Sequence, residues 1–362
     1  MEFLTLEKEA FGLDISDLSL KIVKLTNKKG FFRLASFGKM DIDPGIIEKG
    51  VIQDEDALAK IIKVACRKVK GKRLNTRYVV ASLPEEKSFL QVIQMPRMEE
   101  KELESAIRFE AENYIPLPIG EVYLDFHAIA PIKDHLNHLD VLIAALPKKI
   151  INSYVSCFKK AGLIPIALEV ESQAIARALI KNEITDYPLA LIDFGKSSTD
   201  FIVFAGRSIQ FTYSIPTSSE QLTAAISKAL DVNFEKAEKI KMGYDLINPK
   251  ADARSNKITQ AVTPILADLA TQIKKYINFY QDHAAHEHLA YDKKIEKIIL
   301  CGGGANLKGL PEFFSENLSI PVELGDFWVN FSSKKINHAI NSDPLSFVTA
   351  LGLALREIKN PS

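Results

Sequence analysis

Apolar and polar positions along this chain fall into short runs of period two and longer runs of period near 3.6. Residues 10–15 and 20–25 predict two strands. A turn at 27–30 and a third strand at 31–37 follow, so the chain opens as a hairpin pattern. Residues 54–69 predict an amphipathic helix with Ala57, Leu58, Ile61, Ile62, Ala65 and Val69 on one side. Strands at 78–83 and 89–95 are stopped by Pro84 and Pro96. A helix over 99–114, with Leu103, Ile107 and Ala111 on one side, is closed by Pro116 and Pro118. Strands at 122–129 and 139–146 and a helix at 150–161, ended by Gly162, complete this part. The stretch from about Arg77 to Pro147 therefore predicts a compact unit of strands around a helix, set into a larger lobe.

The pattern then restarts. Residues 189–194 predict a buried strand, and 200–205 with 208–215 a hairpin across Gly206-Arg207. Helices are predicted at 218–230 and 234–242, a polar loop at 248–256, and a long helix at 258–280. A strand at 295–301 runs into three glycines, and a last helix covers 344–358. There is an internal echo. Gly12-Leu13-Asp14-Ile15-Ser16, followed by Ser19-Leu20-Lys21-Ile22-Val23, resembles Leu191-Ile192-Asp193-Phe194-Gly195, followed by Ser198-Thr199-Asp200-Phe201-Ile202. Each is a buried strand ending in Asp, a small-residue turn and a returning strand. Two such units predict two lobes of related topology.

The turns carry the candidate chemistry. A strand-turn-strand tipped with Ser, Thr and Gly presents backbone N–H groups to phosphate oxygens, and small side chains allow close approach. Asp14 and Asp193, at strand ends, suit Mg²⁺, which keeps several waters and takes one or two protein oxygens. Lys21 is placed to neutralise phosphate charge. Taken singly, each Asp reads more readily as a solvated turn carboxylate; the pair, together with a third motif, points to nucleotide binding. A third motif, Ile298-Ile299-Leu300-Cys301-Gly302-Gly303-Gly304-Ala305-Asn306-Leu307, is a buried strand entering a glycine turn against which a flat base can lie, with a helix beginning near Leu310.

Composition narrows the classes. The chain has 362 residues, 47% hydrophobic and 25% charged, enough for two domains of ordinary globular material. Its 46 Lys and Arg balance 46 Asp and Glu, which argues against nucleic-acid binding and a polybasic membrane anchor. Cys66, Cys157 and Cys301 lie far apart, which excludes a disulfide scaffold and suits a reducing compartment. Met1 to Glu9 has no basic start or apolar core, so no signal peptide is expected, and no apolar run reaches membrane-spanning length.

Several partial motifs fail. Gly195-Lys196-Ser197 resembles the end of a P-loop, but Ala190 stands where its first glycine belongs; Asp193-Phe194-Gly195 matches a kinase signature without the catalytic loop. Leu307 breaks the dinucleotide pattern begun by Gly302 and Gly304. His283 and His286 share a helix face near His288, and His135 and His138 fall in a polar loop; neither group reads as a metal site.

In order, residues 11–21, 191–200 and 302–311 resemble phosphate loop one, phosphate loop two and the adenosine motif of the actin-like ATPase superfamily. Met95-Pro96-Arg97-Met98, the run from Glu102 through Ile115-Pro116-Leu117-Pro118, and Glu121-Val122-Tyr123-Leu124-Asp125-Phe126 are similar to the FtsA/PilM branch, and within it to PilM-like pilus proteins. The resemblance implies an α/β, actin-like two-lobed ATPase fold with an inserted small α+β subdomain. It implies a first lobe of 1–76, 148–188 and the C-terminal helix 344–362, an insertion of 77–147 and a second lobe of 189–343. It implies Asp14 and Asp193 as the acids positioning Mg, and Ser16, Lys21, Gly195, Ser197, Ser198 and Thr199 as phosphate contacts. Glu238 and Lys241 would meet ribose and adenine, with charges on a solvated helix face as the lesser alternative. Gly302, Gly303 and Gly304, with Asn306 and Leu307, would form the adenosine turn, and Glu171 would orient the attacking water.

The implied function is a cytoplasmic ATP-binding scaffold of type IV pilus assembly, with nucleotide between the lobes. It would bind the N-terminal cytoplasmic peptide of PilN in a groove formed with the insertion, and so reach the inner membrane through a partner. Lys196-Ser197 in loop two and Ser16-Asp17 in loop one depart from the family's glycine and Gly-Thr, so weak or absent hydrolysis is expected. The resemblance leaves room for self-association. The alternatives are an FtsA-like membrane-associated filament protein, disfavoured by the lack of an amphipathic tail after the last helix, and a small-molecule kinase, for which no sugar-site acid stands out.

Overall fold

Phe11, Leu13 and Ile15 are buried, and so are Gly12 and Asp14 between them, so the first strand is covered on both faces. A computed structural model describes residues 9–28, 31–98, 100–129, 138–283, 294–331, 340 and 343–359. In it the chain divides into two compact units: Met1–Glu183 with Phe327–Ser342 and Phe347–Ser362, and Ile184–Asp326 with Asp343–Ser346.

The first unit begins with β1 (Phe11–Ser16), β2 (Ser19–Lys28), β3 (Phe31–Asp41), the short β4 (Ile47–Glu48) and β5 (Val51–Ile52), α1 (Glu55–Arg67), β6 (Lys70–Gly71) and β7 (Tyr78–Leu83). Asp54 caps α1 by accepting from the Asp56 and Ala57 N–H groups. After β8 (Phe89–Pro96), α2 (Glu100–Ala111), β9 (Val122–Ala128) and β10 (His138–Pro147), the unit continues with α3 (Lys148–Ala161), β11 (Ile164–Val170) and α4 (Glu171–Leu179). Gly162, at φ 81°, closes α3 in the left-handed conformation.

The larger sheet has the order β11-β7-β1-β2-β3-β6, antiparallel on the β2 side and parallel on the β7 side. Within the stretch 77–147, β7 therefore joins this sheet. The remainder makes its own three-stranded sheet, β8-β10-β9, against α2. Leu103, Ile107 and Ala111 of α2 pack on Ile93, Val141 and Ile143. Each such large apolar side chain contributes on the order of 2 kcal/mol by leaving water.

The second unit contains β12 (Thr185–Phe194), β13 (Thr199–Gly206), β14 (Ser208–Ile215), α5 (Ser219–Leu230), α6 (Phe234–Met242), α7 (Ala253–His283), β15 (Lys297–Cys301), α8 (Leu310–Leu318) and β16 (Val322–Leu324). Its sheet order is β14-β13-β12-β15-β16, with β15 and β16 parallel additions to an antiparallel meander. The first unit repeats this plan as β3-β2-β1-β7-β11. The sequence echo is thus a topological one: a three-strand meander followed by two parallel strands, each time with an Asp near the tip of the first strand. The final α9 (Val348–Lys359) belongs to the first unit.

Some expectations need correction. The predicted loop 248–256 gives way to α7 at Ala253, because Asp252 accepts from the Ser255 N–H at 2.6 Å and starts the helix there. The last helix begins at Val348, after a tight turn over Pro344–Phe347. His138 lies in β10 paired with Pro96, not in a polar loop. The predicted turn at 27–30 falls partly, and His135, His286 and His288 wholly, outside the described residues.

Candidate functional site

Loop one is the tip of the β1–β2 hairpin, closed by the Ser16–Ser19 pair around Asp17-Leu18. Asp14 is 3% exposed and faces Lys21 in register, with Lys21 Nζ donating to Asp14 Oδ2 at 2.8 Å. Ser82 of β7 donates to the other carboxylate oxygen at 3.3 Å and accepts from the Ile15 N–H at 2.9 Å. Asp14 is therefore a buried, ion-paired carboxylate and not a solvated turn residue. The Ser16 hydroxyl donates within the turn to Ser19 O at 3.1 Å. Asp17 accepts from the Lys49 and Gly50 N–H groups at 2.7 and 2.9 Å, which fixes the β4–β5 ribbon onto the loop.

Glu171 opens α4. Its carboxylate accepts from the Glu85 N–H at 3.3 Å, while the Glu85 carboxylate accepts from the Ser172 N–H at 3.0 Å. This reciprocal pair joins the end of β7 to the start of α4. Glu85 was not singled out in the sequence; the only signal for it is its place after Pro84 at a strand end.

Loop two spans Gly195 to Ser198 between the paired Phe194 and Thr199. The Gly195 N–H donates to Ser198 O at 2.9 Å, and the start of α5 braces the loop through Ser219 N–H to Gly195 O at 3.0 Å. Lys196 and Ser197, at the tip, are partly buried. Thr199 is buried, with its hydroxyl donated to Thr217 O at 2.6 Å, so it supports the loop from within.

Asp193 pairs with Cys301 across the parallel β12 and β15, which brings Gly302 beside Asp193. Gly302 has φ +86°, and a Cβ added there would overlap Asp193 Oδ1. At Gly304 an added Cβ would press on the Phe194 ring at 2.6 Å, whereas at Gly303 it would find only Ser346 at 3.8 Å. The glycine turn is thus packed tightly beneath and open above Gly303. Asn306 holds the turn by donating to Gly303 O at 3.1 Å and Asp343 Oδ1 at 2.7 Å, and Ser346 donates to Asp343 Oδ2 at 2.7 Å. Asp343 and Ser346 escaped the sequence reading because they lie nearly forty residues downstream. Leu307 is buried in the unit's core.

Glu238 and Lys241 are not simple surface charges. Lys241 is 5% exposed, ion-paired with Glu238 at 2.8 Å, and donates to Ser219 O at 3.0 Å and Thr223 Oγ1 at 2.8 Å. Burial lowers its pKa, opposed by the Glu238 carboxylate. The α6 pair is therefore joined to the α5 start that braces loop two.

A separate cavity of about 230 Å³ lies within the first unit, lined by β9, β10, β11 and the starts of α3 and α4. Consecutive residues Tyr123 to His127 of β9 and Leu168 to Val170 of β11 border it. Successive strand residues point to opposite faces, so lining by an unbroken run means the cavity runs along each strand's edge. Both strands end their sheets.

The residues fit a phosphate ligand with Mg²⁺. No group of three or more acidic, His or Cys side chains stands ready to hold a metal among the described residues, and Mg²⁺ needs only one or two protein carboxylates. In the second unit Asp193 lies beside Gly302, and Gly303 next to it has an open face of the kind a flat ring needs.

The fold is that of the actin-like ATPases: the structure matches MreB5 of Spiroplasma citri bound to ADP with a TM-score of 0.56 at 13% identity, over 96% of each chain. Within that class, the chain belongs to the type IV pilus assembly protein PilM family, whose model matches residues 12–358. A solved PilM-PilN type IV pilus biogenesis complex matches with a TM-score of 0.81 at 27% identity, over 98% of this chain and 100% of that one. The cell division protein FtsA of Enterococcus faecalis is 22% identical, over 86% of this chain and 77% of its own length. The chain spans about half the length of other FtsA relatives it matches.

Proposed function

We propose that this chain is an ATP-binding scaffold of the type IV pilus inner-membrane assembly platform that captures the N-terminal cytoplasmic peptide of PilN. One observation carries the nucleotide half of this reading: the Asp193 carboxylate lies against the Gly302 backbone, at the ends of adjacent parallel strands. A carboxylate for Mg²⁺ and an open glycine face for the base then share one sheet edge. Mg²⁺ bound there would neutralise phosphate charge. The chain's own groups do the rest: Lys21 compensates charge at loop one, Gly195, Ser197 and Ser198 form the tip of loop two, and Glu238 and Lys241 brace it through Ser219 and Thr223. Ser16 and Thr199 support their loops through hydroxyls already engaged internally. Glu171, engaged with the Glu85 N–H, is the group for water orientation, and weak or absent hydrolysis fits that engagement.

The partner half rests on family membership and on the cavity between two open strand edges. An extended peptide pairs its backbone with such an edge and buries a few apolar anchors. Leu124, Phe126, Leu146 and Leu168 supply apolar walls. No helix among the described residues is long and apolar enough to cross a membrane. The proposed place, on the cytoplasmic side and tied to the membrane through the partner, follows from the proposed capture of the cytoplasmic PilN peptide.

Calorimetry tests both halves. Asp193→Ala is expected to abolish Mg-dependent ATP binding, and tight Mg-dependent binding by that variant moves the site elsewhere. Ala144→Phe, which fills the cavity, is expected to weaken the PilN peptide by about tenfold or more while leaving Mg-ATP binding intact. Wild-type peptide affinity in that variant removes the groove assignment.

A further inference from the structure

We propose that α9 couples loop one to the floor of the cavity, with Arg356 as the positioning residue that acts through Glu169. This rests on the function proposed above and names how one of its sites regulates the other. Two glycines let α9 touch both neighbours backbone to backbone. On the β1 side, a Cβ added to Gly12 would overlap Ala350 O and lie 2.7 Å from Ala354 N. On the α4 side, a Cβ added to Gly352 would overlap Ala174 O. Contacts of this kind have no side chain to absorb a displacement, so β1, α9 and α4 shift together or not at all. Gly12 lies two residues before Asp14.

The far end of α9 reaches the cavity. Arg356 donates to Glu169 Oε2 at 2.6 Å, and Arg177 of α4 donates to the same carboxylate at 2.5 and 3.0 Å and to Gly352 O at 3.1 Å. Glu169, its side chain 1% exposed, is among the residues that border the cavity, with Val170 and Gln173. A phosphate group drawn to loop one therefore acts on β1, through Gly12 on α9, and through Arg356 on the cavity wall. Arg177 comes from α4 and touches α9 only at the Gly352 carbonyl. Arg356 is the charged side chain that α9 sends to Glu169, and its 38% exposure makes its removal compatible with folding.

The experiment measures the dissociation constant of the synthetic N-terminal cytoplasmic PilN peptide with and without saturating Mg-ATP, for wild type, Arg356→Gln and Arg356→Lys. Mg-ATP affinity is titrated separately for each. The wild-type ratio of the two peptide constants is expected to be about fivefold or more, as for ordinary allosteric coupling. In Arg356→Gln it should collapse towards one while Mg-ATP still binds, and Arg356→Lys should restore part of it. A merely structural role would shift both constants together and keep the ratio. A wild-type ratio retained by Arg356→Gln overturns the proposal, as does a wild-type ratio of one. Wild-type protein that binds neither peptide nor Mg-ATP overturns the underlying function instead, and this proposal with it.

Discussion

Lys21 Nζ donates to the Asp14 carboxylate at 2.8 Å from the directly opposed position on the neighbouring strand, with the two side chains 13% and 4% exposed. A buried carboxylate kept in this way depends on its counter-charge. Removing one partner of a buried pair costs more than the pair itself contributes, because the remaining charge stays desolvated. Lys21→Met should destabilise the protein by about 3 kcal/mol in urea unfolding. Combining it with Asp14→Asn should recover much of that loss. A single variant within about 0.5 kcal/mol of wild type, the range of ordinary surface changes, would show that the pair carries no such weight.

Gly302 and Gly303 are neighbours with opposite tolerance. An added Cβ at Gly302 needs a left-handed backbone at φ +86° and overlaps Asp193 Oδ1, while at Gly303 it meets only Ser346 at 3.8 Å. Gly302→Ala should lower the melting temperature of the nucleotide-free protein, with a cost of about 1–3 kcal/mol from overpacking. Gly303→Ala should melt like wild type yet bind Mg-ATP on the order of tenfold more weakly, because its methyl occupies the face proposed for the base. Equal ATP affinity for Gly303→Ala and wild type would remove the base from that face.

The register of β9 gives a residue-by-residue expectation for peptide binding. The Ile129 N–H donates to Asp140 O, and the β9–β10 pairing continues without a bulge. Amides alternate in direction along an antiparallel strand, so Tyr123, Asp125 and His127 point their N–H groups to β10, and Leu124, Phe126 and Ala128 point theirs to the open edge. Phe126 N–H accordingly bonds its neighbour's Asp125 carboxylate and not β10. Adding the PilN peptide should slow hydrogen exchange at Leu124, Phe126 and Ala128 and change it little at the other three. Unchanged exchange at the outward set, with peptide bound, would exclude strand addition there.

What the sequence disclosed follows from local rules, and what it hid follows from tertiary ones. The hairpin strands, the glycine turn and α2 are legible because alternation, Gly and Pro mark them within a few residues. The strand β11 escaped notice because it carries Pro165 and Glu169. It tolerates the proline as an edge strand with a register shift between Pro165 and Ala167, and the acid through two arginines from other helices. Lys241 looked like a surface charge because its i,i+3 spacing from Glu238 is that of an exposed helix pair. Its burial comes from Ser219 and Thr223, about twenty residues earlier, which no window over α6 contains. Lys21 was legible as a charge returning along the hairpin towards loop one, but its pairing with Asp14 was not, and the burial of that pair depends on Ser82 arriving from β7.

The cysteines give the pH prediction. Burial raises the Cys66 thiol from 9.0 to about 11 and the Cys157 thiol from 9.0 to about 12. Cys301 lies well above the ordinary thiol value, first by burial and then by the nearby Asp193 and Asp200 carboxylates. The thiolate is the reactive form, so at pH 8 the native protein should react with a disulfide reagent far more slowly than urea-unfolded protein, which releases all three. The sign of the stability effect is fixed by linkage. These thiols ionise later in the folded state than in the unfolded one, so above pH 9.0 the unfolded chain loses protons first and stability falls towards pH 11. Cys66, partly exposed where the other two are buried, should lead the native reaction, accelerating about tenfold per pH unit until its thiol ionises. Rapid labelling of Cys301 in the native protein at pH 8 would contradict this environment. Because Cys301 pairs with Asp193 in register, it would also open to question the packing on which the glycine turn depends.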